Sequence, residues 1–523
     1  MFAKINSQNY LFVVFLIVYA FLINWFSAQT GILPIDSFAF FDSAFSILNN
    51  NLPIRDFWIF TGLLLDYIQA LFFFIFGASW SSYIAHASLI NILASLSLYF
   101  FLNKLNLKKF YSFLYSISFA TLFYPLSGSP FAYLHAYAFS LISIFLLCLC
   151  IYQKNNFLWF LIPIISLLAF LSMQTPTMYI LFILLFFSFY FFIAEKNKIG
   201  LKNFIFGTLT ALFLIIFFLF VTKTPFQNFL YQYFLFPLTI GEGRIASDST
   251  AYVRLIDQLN FQRLFGNFKF IHFFLIPLII LTVKMFFNKE RNKIYHINLI
   301  IILSCLCFVF NQLVTANQIF IFSLIPLLAG ILHINLSKFK YSKYFVYLIL
   351  LVVFISTTKF HYRYNIDRKF LDLEEVDKSR AIESIIINEK LKNLKWITKF
   401  KKPKDEIELI NKAINLIKKD NRQKLIITHY QFFSSVIDNN LTILNRWYLW
   451  DNNTHPTETH KYFNFYKEMV DKIVKKNNIE VIYLLGSDIE FNRIKNYFSG
   501  TCFTSLTVIN NEFSYHEIIN CKT

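Results

Sequence analysis

The sequence predicts an α-helical polytopic membrane protein of about 11 transmembrane helices with a C-terminal extracytoplasmic α/β domain. Three observations predict it. The chain is 57% apolar and 20% aromatic with only 15% charged residues, against about 25% charged in soluble domains. Its mean hydropathy is +0.53, and apolar runs recur from residue 10 to residue 358. Charge density then jumps: residues 1–358 hold 21 Lys/Arg and 9 Asp/Glu, whereas residues 359–523 hold 27 and 21. A soluble enzyme is thereby excluded as the whole answer. The 69 Phe and 29 Tyr exclude disorder. Six Cys in 523 residues exclude a disulfide-dense scaffold.

Each predicted span is an apolar run of near-spanning length. The runs are 10–28, 84–102, 110–127, 131–152, 157–172, 176–194, 203–222, 269–287, 296–313, 318–335 and 343–358. Every second short loop is basic: Lys104, Lys108 and Lys109; Lys154; Lys196, Lys198 and Lys202; Lys289, Arg291 and Lys293; Lys338, Lys340 and Lys343. The positive-inside rule makes those loops and the N-terminus cytoplasmic and puts residues 359–523 outside, in a cytoplasmic (inner) membrane. The net charge of +18 is then largely a topology signal, and no nucleic-acid partner is expected. The first run exceeds a signal-peptide core in length and is read as a retained span. Segment 61–77 is apolar but short and carries Asp66 and Gln69. It reads as a helix lying in the outer interface, which leaves 29–83 as one outer loop within a membrane domain of residues 1–358.

Four of that domain's nine acidic residues, Asp36, Asp42, Asp56 and Asp66, fall in this loop. Carboxylates at a membrane boundary are costly and have a role or a partner. Arg55 is a candidate partner for one of them and a candidate substrate ligand. A second outer loop, 223–268, carries Lys223, Arg244, Arg254 and Arg263 where other outward loops avoid cations. Its "IGEGR" reads as a turn. Arginine grips phosphate in a two-pronged way, so Arg244, then Arg254, with Lys223, are candidate phosphate ligands; anchoring to lipid headgroups or pairing with Glu242, Asp248 and Asp257 are the alternatives. His86, His135 and His272 read as packing residues, and no zinc spacing is present. No cofactor is assigned, and a divalent metal held by Asp36 and a neighbour or by Asp56 stays open.

Residues 359–402 read as a helix-rich connector. In 403–523, Ile407, Ile410, Ile414 and Ile417 mark a helix after Pro403, "KLIIT" and "VIYLL" mark buried strands, and a stripe from Tyr462 to Val474 marks a second helix. "FTSLTVI" and "HEIIN" read as closing strands. Cys502 and Cys521 flank them as a disulfide candidate; Cys148, Cys150, Cys305 and Cys307 read as apolar filler. Within "LNRWYLWDNNTHPTETHKYF", Trp447, Tyr448 and Trp450 are candidates to stack on sugar faces and Asp451 to bond hydroxyls, the alternative being a turn packed by its own rings.

An apolar first span followed by Asp36, a short amphipathic helix, "LPIRDFW" and an apolar segment ending in "FG-S" resembles the start of the GT-C superfamily of polytopic glycosyltransferases, which includes the protein O-mannosyltransferases and the aminoarabinose transferases of lipid A. The resemblance covers roughly the first 110 residues by motif. It implies a GT-C-like fold and transfer of a sugar from a polyprenyl-phosphate carrier to a lipid, glycan or protein acceptor at the outer membrane face. It implies a catalytic carboxylate at Asp36 and a second acidic site at Asp56. Many members carry Glu after that Asp; this chain carries Ser37. The rival readings are an O-antigen polymerase or ligase, a transporter or flippase, and a scaffold presenting the tail.

Overall fold

The structure is a computed structural model that describes residues 7–123, 128–245, 259–315, 321–337, 342–437, 441–489, 491–498, 502–504 and 506–519. The protein is mostly helical, with a small sheet near its C-terminus. Among the described residues, eight helices are long and apolar enough to cross a membrane: α1 (Ser7–Ser27), α5 (Trp80–Lys104), α7 (Ala132–Gln153), α9 (Gln174–Ala194), α10 (Lys198–Val221), α13 (Lys269–Phe287), α14 (Lys293–Thr315) and α16 (Ser342–His361). The other three predicted spans are shorter helices: α6 (Lys109–Leu122), α8 (Leu158–Ser172) and α15 (Leu324–Leu336). Large apolar side chains such as Phe213, Phe217 and Phe220 on α10 face outward. They have no place in water, and their exposure is what a lipid-facing helix requires.

Segment 61–77 forms α4 (Leu63–Phe76), only 14 residues long and so about 21 Å. It buries Leu63, Asp66, Gln69, Ala70 and Phe73 and exposes Leu71, Phe74, Ile75 and Phe76. Two short helices, α2 (Pro34–Ser37) and α3 (Phe41–Leu48), precede it.

The connector departs from its expected helical character. After the π-helical turn Tyr362–Ile366 it runs through four three-residue 3-10 turns and a two-residue ladder of β1 (Ile382–Glu383) with β2 (Lys395–Trp396). The physical reason is local. Asp377 and Asn388 accept backbone N–H groups two residues on, and Arg368, Asp372 and Asn393 adopt positive φ. These residues start and stop single turns and so keep the segment from continuing as one helix.

The tail domain has the elements its periodicity predicts. Helices α17 (Pro403–Lys419) and α19 (Phe463–Lys476) flank a sheet in which β3 (Lys424–Thr428) pairs parallel with β4 (Val481–Leu485), and β4 antiparallel with β7 (Phe513–Ile519). Two short strands, β5 (Cys502–Phe503) and β6 (Thr507–Asn510), also pair with β7. Cys502 is disulfide-bonded; Cys521 lies outside the described residues.

The tail does not hang apart from the helices. One hydrophobic cluster joins Phe38, Phe41, Phe73, Trp80 and Tyr83 to Trp396, Ile410, Phe432 and Tyr483. Chain from the first loop also pairs with later chain: Gly31 N–H donates to the Lys395 carbonyl at 3.0 Å and Trp58 N–H to the Leu444 carbonyl at 2.7 Å. A boundary drawn at residue 403 therefore cuts through packed structure.

Candidate functional site

Asp36 owes its position to the chain on either side of it. After α1, residues 29–32 run alongside the connector, with Lys395 N–H donating to the Gln29 carbonyl and Ile32 N–H to the Ile397 carbonyl. Gly31 sits at φ +81, where a Cβ would run into the Leu373 side chain; the left-handed backbone there favours glycine. Pro34 then opens α2 at its first turn, as its fixed φ favours. The Ser37 hydroxyl accepts the Leu33 N–H at 2.9 Å. Ser37, the departure from the acidic pair, thus holds the turn that presents Asp36.

The Asp36 carboxylate is half-buried and has no bonding partner among the described residues. Burial alone pushes it up to about 6, since removing water disfavours the charged form. Trp447 reaches the residue before it: the indole N–H donates to the Ile35 carbonyl at 2.8 Å. The Trp447 ring lies 5.6 Å from Phe60 and 6.1 Å from Phe40 between centroids and is itself half-buried. The structure thus brings together two predicted residues separated by 411 positions in the chain.

Arg446 carries this arrangement, and sequence reading passed over it. Its guanidinium pairs with Asp66 on α4 and donates to the Thr61 carbonyl, and its carbon stands 4.4 Å from the Phe40 ring centroid and 5.1 Å from that of Trp447. Ser43 donates to the other Asp66 oxygen at 2.6 Å. Both charges are fully buried, so each requires the other. The available signal was Asp66 itself, a carboxylate inside an apolar run.

Asp42 ties the same region to the tail. It accepts the Ser434 and Ser435 N–H groups at 3.1 and 3.2 Å, at the start of α18 (Phe433–Ile437). Burial pushes it up to about 7 against the opposing pull of those amides and of Lys390.

The remaining predicted residues lie elsewhere. Asp56 is a bonded carboxylate: it accepts from Arg55 Nε at 2.8 Å, from Leu52 N–H at 2.9 Å and from Lys476 at 2.7 Å. Burial raises its pKa, but Arg55, the Leu52 amide and Lys476 outweigh that and hold it below the ordinary range. Arg55 also donates to the Thr222 and Asn50 carbonyls. With Lys476, this pair borders a cleft of about 190 Å³ under α19. Lys223, exposed and at φ 52, follows Thr222. Asp451 accepts the backbone and side-chain N–H groups of Asn453, so its oxygens close its own turn.

The "IGEGR" segment is not a turn. After the short α11 (Phe226–Leu230) and a π-helical turn, it forms the last part of α12 (Phe236–Ile245), because Phe236 and Ile240 are buried against the tail and Thr239 bonds His460 at 2.9 Å. That packing outweighs the roughly 1 kcal/mol helix penalty of each glycine. The Arg244 side chain and all of Arg254 lie outside the described residues. Among the described residues, no three His, Cys, Asp or Glu side chains converge on a point that could hold a metal ion. No protein-family model and no curated protein matches the chain.

Proposed function

We propose that this chain is a membrane glycosyltransferase of GT-C type that moves a sugar from a polyprenyl-phosphate donor to a lipid, glycan or protein acceptor at the outer face of the cytoplasmic membrane. The observation that carries the reading is the Asp36 carboxylate: half-buried, without a bonding partner among the described residues, and directly after Ile35, whose carbonyl Trp447 holds. Burial poises it near neutral pH, as a general base requires. It takes the proton of an acceptor hydroxyl, the hydroxyl oxygen bonds to the anomeric carbon, and the bond from that carbon to the carrier phosphate breaks. The prenyl phosphate leaves with the bonding pair. Trp447 supplies a flat apolar face of the kind that packs against a sugar ring.

The alternate basic loops support the orientation, on a reading in which α6, α8 and α15 cross and α4, which carries Asp66 and Gln69, lies in the outer interface. In a reconstituted reaction, Asp36→Asn is expected to abolish sugar transfer while leaving the fold intact. Unchanged transfer by that variant would exclude Asp36 as the base and favour a polymerase, ligase or flippase.

A further inference from the structure

Arg368 is a buried cation in the connector. It is 2% exposed, and neither Nε nor Nη2 has a hydrogen-bond partner. Arg368 stands at φ 59 before the 3-10 turn Lys369–Leu371, and its guanidinium carbon lies 5.3 Å from the Phe370 ring centroid.

No carboxylate among the described residues lies within ion-pair distance of it. Of the acidic side chains near it in the chain, Asp372 pairs with Lys399, Glu374 with Lys369, and Asp377 with Arg380, while Asp367 and Glu375 make no ion pair with it. The surroundings add positive charge. Rings run from Phe370 to Tyr364, Phe360 and Phe270 at centroid separations of 6.1, 6.2 and 5.7 Å. Lys269 and Lys359 stand 5.7 and 5.6 Å from the Phe270 centroid, and Arg363 stands 5.6 Å from that of Tyr364. Four cations from two separate stretches of chain therefore share one aromatic row.

A buried charge without a counter-charge is strongly unfavourable, and arginine does not escape by losing its proton. An anion is the missing component. The unbonded fork matches the paired oxygens of phosphate, and its weak hydration suits a dry site. We propose that Arg368 anchors an anion site for a phosphate group. The site stands apart from the transfer reaction: it requires only that a phosphate reach the guanidinium, whether or not Asp36 is a base.

The test is thermal unfolding of the full chain, delipidated in an uncharged detergent, with inorganic phosphate, farnesyl phosphate or phosphatidylglycerol. Wild type is compared with Arg368→Gln and Arg368→Lys. At least one compound is expected to raise the wild-type Tm by about 2 °C or more at saturation. Arg368→Gln should show no such rise, and Arg368→Lys, which keeps the charge and loses the fork, a smaller one. Without ligand, Arg368→Gln should unfold at or above the wild-type temperature, because it removes an uncompensated charge. A response to inorganic phosphate assigns a free anion, one confined to farnesyl phosphate assigns a prenyl carrier, and one to phosphatidylglycerol assigns bulk lipid. Equal responses in wild type and Arg368→Gln, no response in wild type, or a lower ligand-free Tm in Arg368→Gln would each overturn the proposal.

Discussion

Asp66 and Arg446 form an ion pair with 0% and 1% of their side chains exposed, joining the apolar helix α4 to a loop of the tail. Arg446 is followed directly by Trp447, and Trp447 bonds the carbonyl just before Asp36. The pair therefore fixes the Trp447 ring relative to the turn that carries the carboxylate. It also explains why a soluble-looking tail packs into the first loop and is not tethered loosely beside it.

Removing either charge alone leaves the other buried and uncompensated. Asp66→Ala is expected to destabilise the protein by about 3–5 kcal/mol, whereas Asp66→Ala with Arg446→Met should recover most of that loss. A double-mutant cycle in thermal or denaturant unfolding measures it. Additive losses would show that the two charges are not coupled.

Asp36 gives a pH dependence with a defined sign. Its folded-state value of about 6 lies above the ordinary carboxylate value of about 3.9. The folded state therefore holds the proton more tightly, and the associated stability is present at low pH and lost as pH rises through 6. Asp36→Asn cannot ionise. Its Tm relative to wild type should increase between pH 5 and pH 8; a constant difference would contradict the raised value. Transfer by wild type should rise with pH across the same interval.

Trp447 has two separable contributions. Trp447→Phe keeps a ring but loses the donor to Ile35, a loss of about 1 kcal/mol in stability. Trp447→Ala also removes the ring. It is expected to raise KM for the acceptor or donor sugar more than it lowers kcat, and steady-state kinetics separate the two. A pure kcat effect would place Trp447 in scaffold maintenance alone.

Cys502 lies at the start of the β5–β7 ladder. Cys502→Ser is expected to lower the stability of the tail by about 2–4 kcal/mol, and reductant should lower the wild-type Tm toward that of the variant. Reductant-independent unfolding of wild type would contradict this.

The tail's helices and central strands were legible because each is a long regular pattern: isoleucines at helical spacing in α17, five-residue buried runs in β3 and β4. The long apolar runs were legible for the same reason. The connector was not, because its charged composition fits a solvated helix while its turns depend on single Asp, Asn and positive-φ positions. The "IGEGR" helix was hidden because tertiary burial of Phe236 and Ile240 overrides two glycines. At the site, Asp36 and Trp447 were legible as residue types, but the link between their segments was not. It arises through Arg446, whose partner lies 380 positions away, and no local pattern encodes a contact at that distance.

The most direct measurement is the lipid profile, by mass spectrometry, of cells that express wild type or Asp36→Asn at equal levels in a strain lacking the chain. A polyprenyl-phosphate sugar should accumulate with Asp36→Asn, and the corresponding surface glycan, glycolipid or glycoprotein should be lost. Identical carrier-lipid and surface-glycan profiles in the two strains would contradict it.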